Sequence, residues 1–201
     1  MSFRIVGLSG PAQAGKTTTA LYLARKHNFQ RTAFANLLRR TAIVMYPWLD
    51  WMLRQSEYDK RKEIVDPKLG ITPRKVLQLL GTEVGRNIWP DTWVEGVRRE
   101  IEEAQNENFD GLAIEDVRFP NEVEMVQEMD GQIWSIRRPE SEGEVGVTGH
   151  ESEAYAAEFH KTADHRIINN ATFNYLYSQI DSIIDFGVNA AAIDKDLTNI
   201  Q

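Results

Sequence analysis

Two periods of apolar and polar residues alternate along this chain. Phe3-Arg4-Ile5-Val6-Gly7-Leu8 is a short, nearly continuous apolar run and reads as a buried strand. Thr18 to His27 then carries Ala20, Leu21, Leu23 and Ala24 at helical spacing. Arg31-Thr32-Ala33-Phe34 suggests a second strand. The pattern from Asn36 to Trp51 is helical, with Leu37, Leu38, Ala42, Ile43 and Met45 apolar. Trp48 and Trp51 share a face of that helix, for which core packing or a subdomain seam is the expectation. Arg54 to Lys68 is strongly charged and reads as an exposed face. Thr72-Pro73 starts a helix, with a Thr cap and Pro at the first helical position, that runs through Val76, Leu77, Leu79 and Leu80 and stops near Gly81. Asp91 caps the next helix, where Trp93, Val94, Val97, Ile101 and Ala104 form one stripe. On its outer side Arg98/Glu102 and Arg99/Glu103 are i,i+4 pairs. Strands follow at Phe109 to Glu115, Gln132 to Ile136 and Arg166 to Ile168. Helices carry Val123, Val126 and Met129, and then Thr172 to Phe186. Glu140 to Gly149 reads as a mobile loop. The tail from Gly187 to Gln201 has no clear pattern.

Strands alternating with helices predict an α/β fold: a parallel sheet of about five strands flanked by helices. Ligands of such sheets sit at the carboxyl ends of the strands. Lys16, Asp116 and Arg137 each follow a strand and are expected to meet there. The helical stretch 36–105 is too long for a simple crossover, so it is expected to form a second wall within one domain.

The first strand leads into Gly10-Pro11-Ala12-Gln13-Ala14-Gly15-Lys16-Thr17, a complete G-x-x-x-x-G-K-[ST] pattern opening a helix. Such a loop aims backbone N–H groups at a polyphosphate. Gly10, Gln13, Ala14, Gly15, Lys16, Thr17 and Thr18 are therefore the expected ATP contacts, with Lys16 on the β and γ phosphates and Thr17 on Mg²⁺. Asp116, after an apolar strand, is placed as the second carboxylate for Mg²⁺, directly or through water. Arg118 just beyond it suits an acceptor phosphate. Arg137 and Arg138 open a flexible segment, as the charge-neutralising residues of a closing lid would. His150-Glu151-Ser152-Glu153 lacks the second histidine of H-E-x-x-H, because position 154 is Ala, and is read as a lid end or helix start.

Composition narrows the remaining options. A chain of 201 residues with 42% hydrophobic residues suits one sizeable core, and its net charge of −7 argues against broad binding to a nucleic-acid backbone. No apolar run is long enough to span a bilayer, and the first strand begins at once, leaving no room for a signal peptide. The absence of cysteine excludes a disulfide scaffold and fits a cytoplasmic protein. There is no Asn-Lys-x-Asp guanine motif, which disfavours a GTPase switch. A nucleotide-binding regulator and a dephospho-coenzyme A type kinase stay open.

Several blocks together resemble the bacteriophage-type deoxynucleoside monophosphate kinases. They are Gly7 to Thr18, Thr72-Pro73-Arg74-Lys75-Val76-Leu77-Gln78-Leu79-Leu80-Gly81-Thr82-Glu83-Val84-Gly85-Arg86, Asp91-Thr92-Trp93-Val94, Asp116-Val117-Arg118-Phe119-Pro120-Asn121-Glu122, Arg137-Arg138-Pro139 and His150 to Glu153. The resemblance spans roughly residues 3 to 185. It implies a core, a monophosphate-binding helical region (36–105) and a lid (137–153), with ATP and Mg²⁺ phosphorylating a deoxynucleoside monophosphate. Arg118 would hold the acceptor phosphate, Arg137 and Arg138 would act from the lid, and Arg74, Gln78 and Arg86 would contact the acceptor nucleotide. The implied partners are ATP and the monophosphate, without nucleic acid or membrane, in the host cytoplasm if the chain is phage-encoded. A homodimer is left open. After Asp116 the Gly-Phe-Pro-Arg run of adenylate-type kinases is missing, so their substrate contacts do not transfer.

Overall fold

A computed structural model describes residues 2–54, 58, 60–139 and 151–198, with the backbone alone for 151–154 and 187–198. Five strands form one sheet: β1 (Arg4–Ser9), β2 (Phe29–Thr32), β3 (Gly111–Ile114), β4 (Gln132–Arg137) and β5 (His165–Ile168), in the order β2-β3-β1-β4-β5. β1 runs parallel to both β3 and β4, and β4 runs parallel to β5. The register pairs Gly7 with Ile114, Ser9 with Ser135 and Arg137 with Ile168, so these strands end along one edge. β3 is buried at all four positions, as a strand covered on both faces requires.

The chain divides into two compact units, 1–31 with 101–201, and 32–100. In the first unit, α1 (Lys16–His27) and α8 (Phe173–Thr198) bear on the sheet core, where Leu8, Leu23, Trp134, Ile136, Leu176 and Ile180 are all buried. α1 ends at Asn28, which takes left-handed angles (φ 54°) and returns its N–H to the Leu23 carbonyl. α6 (Pro120–Glu128) and α7 (Glu151–Thr162) complete this unit.

The second unit holds α2 (Phe34–Met45), α3 (Asp50–Leu53), α4 (Pro73–Gln78) and the start of α5 (Thr92–Gln105). Its own core contains Ala42, Leu49, Met52, Leu53, Val76, Leu77 and Leu80.

The single helix expected over 36–51 is interrupted. Pro47 cannot donate a helical hydrogen bond and disfavours helical angles at Tyr46, which sits at φ −130°, ψ 72°; a short 3₁₀ turn, Pro47–Leu49, follows. Trp48 and Trp51 are not core residues. They are 37% and 51% exposed, with the Lys68 ammonium 4.6 Å from the Trp48 ring and the Arg61 guanidinium 4.5 Å from the Trp51 ring. The second strand lies at Phe29–Thr32, slightly earlier than expected, and Arg98 pairs with Glu95. Thr72 does cap its helix, accepting the Lys75 N–H at 3.2 Å. That helix passes Gly81 without stopping and continues as a π-helical stretch, Leu79–Arg86. The unassigned tail is helical as far as Thr198. The loop 140–149 and His150 lie outside the described residues.

Candidate active site

β1 delivers the chain to a turn that only glycine can make. Gly10 has φ 138°, and a Cβ there would lie 2.1 Å from the Ile136 carbonyl oxygen of β4. Gly15, at φ 113°, is the N-cap of α1, and its missing Cβ leaves room for the Asn169 amide. The first turn of α1 holds no acidic residue, so the positive end of its dipole is not neutralised from within the helix. The loop has the form of an anion cradle.

Lys16 folds back across this cradle and donates from Nζ to the carbonyl oxygens of Gly10 (2.6 Å) and Pro11 (2.7 Å). Its pKa is lowered from 10.5 to about 8, chiefly by burial; the nearby Arg118 charge acts in the same direction, and Asp116 opposes both. Asp116 and Arg118 are thus both within electrostatic reach of Lys16.

Two glutamates that the sequence reading did not select build the rest of the site. Glu115, 7% exposed at the end of β3, receives the Thr17 hydroxyl and two N–H donors of Arg31, Nε at 2.7 Å and Nη2 at 2.5 Å. Burial pushes its carboxyl above the usual range, while Arg31 and Thr17 pull the other way. Glu122, 1% exposed in the first turn of α6, accepts the backbone N–H groups of Arg118 (2.6 Å) and Phe119 (3.1 Å). This fixes the loop bearing Arg118, while the Arg118 side chain stays exposed. A Glu two residues beyond Pro120 was the available signal for this role.

Asn169 is a third residue missed. Its Nδ2 donates to the Ala14 carbonyl (2.9 Å), and its backbone N–H donates to the Arg137 carbonyl (2.7 Å). One asparagine therefore joins the glycine-rich loop to the end of β4, across a sequence gap that no local pattern reveals. Arg137 is partly buried and Arg138 exposed at that strand end.

The remaining candidates lie in the second unit. Arg74 pairs with Glu63 at 2.6 Å, Gln78 ends α4, and Arg86 ends the π-helical stretch. All three therefore belong to one continuous helical segment.

The residues present fit Mg²⁺ carried on a polyphosphate. Thr17 and the carboxylates at positions 115 and 116 supply oxygen donors beside the cradle, and Mg²⁺ in such sites takes only one or two protein carboxylates. Among the described residues no three His, Cys, Asp or Glu side chains gather as a self-sufficient metal site.

The family described as deoxynucleotide monophosphate kinase matches residues 50–180. A protein of Acanthamoeba polyphaga mimivirus, provisionally named a deoxynucleotide monophosphate kinase, is 31% identical, with 90% of this chain and 96% of that protein covered. The deoxynucleoside-5′-monophosphate kinase of Escherichia phage T5 is 33% identical over 86 residues, 39% of this chain and 33% of its own length. Among solved structures, the Campylobacter jejuni dephospho-CoA kinase superposes with a TM-score of 0.51 at 14% identity, covering 90% of this chain and 95% of its own. The Aquifex aeolicus shikimate kinase does so with 0.55 at 11% identity, covering 92% and 98%. At such identities the structural likeness concerns the fold alone.

Proposed function

The chain belongs to the deoxynucleotide monophosphate kinase family, and on that premise we propose that it transfers the γ-phosphoryl group of ATP, with Mg²⁺, to a deoxynucleoside 5′-monophosphate. An oxygen of the acceptor phosphate forms a bond to the γ phosphorus as the bond from that phosphorus to the β–γ bridging oxygen breaks. ADP leaves and a deoxynucleoside diphosphate forms, with no covalent enzyme intermediate.

The backbone N–H groups between Gly10 and Thr18 bind the ATP phosphates, with Gln13 and Ala14 shaping the loop. Lys16 exchanges its two loop carbonyls for phosphate oxygens. Thr17, held by Glu115, and Asp116 hold Mg²⁺, directly or through water. Mg²⁺ when bound neutralises charge on the phosphates. Arg118, its backbone fixed by Glu122, holds the acceptor phosphate; Arg137 and Arg138 neutralise charge from the lid, 137–153. Arg74, Gln78 and Arg86 contact the acceptor within the helical region 36–105. Positioning and charge stabilisation supply the rate. The observation that carries this reading is the partly buried Lys16, seated in a two-glycine cradle with Asp116 and Arg118 in electrostatic reach.

The test is ADP release from ATP and Mg²⁺ with each dNMP, each NMP and dephospho-coenzyme A added separately. Stimulation by one or more dNMPs is expected. Lys16→Ala should abolish turnover, whereas Arg118→Ala should mainly impair use of the monophosphate. Stimulation by dephospho-coenzyme A alone, or a Lys16→Ala variant of wild-type rate, would overturn the reading.

A further inference from the structure

The helix started by Thr72 and Pro73 changes register after Gln78, and Leu79–Arg86 follows a π-helical course. Such stretches are rare and often mark functional sites. Each residue inserted into a turn rotates every later side chain by about 100° relative to an uninterrupted α-helix. Arg86 therefore leaves the segment in a direction that α-helical spacing from Gln78 does not give.

Two buried glycines in this stretch are packed against other side chains. A Cβ on Gly85 would fall 2.5 Å from Trp93 Cζ2 and 2.9 Å from its Nε1; one on Gly81 would fall 3.1 Å from Leu38 Cδ2. The Trp93 indole, 6% exposed, donates its Nε1–H to the Gly81 carbonyl at 3.0 Å. The neighbouring Thr92 hydroxyl lies 2.9 Å from the Gly85 carbonyl and 2.7 Å from that of Trp89. The first two residues of α5 thus hold both glycine carbonyls. A buried indole N–H left without its acceptor would be costly, so the arrangement resists relaxation.

We propose that Trp93, with Thr92, is a positioning residue for the acceptor nucleotide: the pair locks Leu79–Arg86 in its π-helical register and so sets the direction of Arg86 relative to Gln78. The proposal rests on the reading of Gln78 and Arg86 as acceptor contacts. The ATP loop belongs to the other unit and makes no part of the lock.

The test titrates each of the four dNMPs, without ATP, into the full chain carrying Trp93→Phe, Thr92→Val, Thr92→Ser or Arg86→Ala, and measures steady-state constants and melting temperatures beside it. Trp93→Phe and Thr92→Val are each expected to raise the Kd and KM for the dNMP about ten-fold, the equivalent of one buried hydrogen bond, and to leave the KM for ATP unchanged. Thr92→Ser, which keeps the hydroxyl, is expected to bind as the wild type does. A lowered melting temperature with unchanged dNMP affinity, or an equal rise in both KM values, would show a merely structural role and overturn the proposal. Arg86→Ala that weakens dNMP binding while the other variants do not overturns the proposal alone. Arg86→Ala that binds dNMP normally overturns the Arg86 assignment, and the proposal with it.

Discussion

Burial holds the Lys16 ammonium at a pKa of about 8 in the ligand-free protein, with Arg118 acting in the same direction. A lowered lysine keeps its charge below that value and loses it as the pH rises. The kcat/KM for ATP, which reports groups of the free enzyme, is therefore expected to fall above about pH 8, approaching one decade per pH unit. A profile level to about pH 9.5 would show that the Lys16 charge is not needed for capture of ATP. Glu115 carries a second prediction at this scale. Because it accepts the Thr17 hydroxyl, Glu115→Leu, which keeps the bulk but no acceptor, should raise the Mg²⁺ concentration needed for half-maximal activity by about 10–100-fold, the usual cost of removing the partner of a metal ligand. An unchanged Mg²⁺ requirement would leave Asp116 as the carboxylate that matters. Asp116 is selected in the sequence because it follows an apolar strand, but its neighbour Glu115 occupies the same kind of place. Only the path of β3 turns Glu115 towards Thr17 and Arg31.

Helices and strands were legible where one face is apolar and the ends carry caps or breakers. Thr72-Pro73 starts its helix as its residue types dictate, and all five strands lie within a few residues of their apolar runs. Two features were not legible. Pro47 breaks a helix whose apolar spacing continues past it, and the π-helical stretch carries residues that an α-helix would also accept. α8 is fastened to α1 by Asp181, which accepts from Lys26 (2.7 Å), His27 (2.8 Å) and the Tyr22 hydroxyl (2.9 Å). Desolvation raises the Asp181 carboxyl, but these donors outweigh it and hold the pKa below the ordinary 3.8. The stabilisation is then fully present above pH 3.8 and lost as the pH falls through the lowered value. Asp181→Ala is expected to cost about 2 kcal/mol at neutral pH in urea unfolding, with the gap from wild type closing in acid. An undiminished gap at about pH 2 would remove the carboxylate from the explanation.

A net charge of −7 does not oppose the proposed ATP site, where Lys16 and Arg118 lie in electrostatic reach of each other beside a loop of backbone amides. ATP with Mg²⁺ should bind the folded chain and not the unfolded one. At about 100 times its Kd it stabilises by about 2.7 kcal/mol, which raises the melting temperature of a chain of this size by about 5–10 °C. Lys16→Ala should lose that rise. A variant that keeps it would place ATP elsewhere on the molecule. The division into units 1–31 with 101–201, and 32–100 was only half visible in the sequence. A helical excess over 36–105 suggested a second wall, but no composition shift marks where one core ends and the next begins.

Sequence alone determined the parallel α/β sheet, the glycine-rich turn that opens the first helix and the family, because these depend on local patterns: apolar runs, glycine spacing and ordered blocks of residues. Tertiary structure decided which side chains meet. Glu115 reaches Thr17, Asn169 ties Ala14 to Arg137, and Trp93 braces Gly81 from a separate helix. The physical reason is that a hydrogen bond requires atoms about 3 Å apart in a fixed direction, and distant parts of a chain acquire that geometry only when strands pair and helices pack.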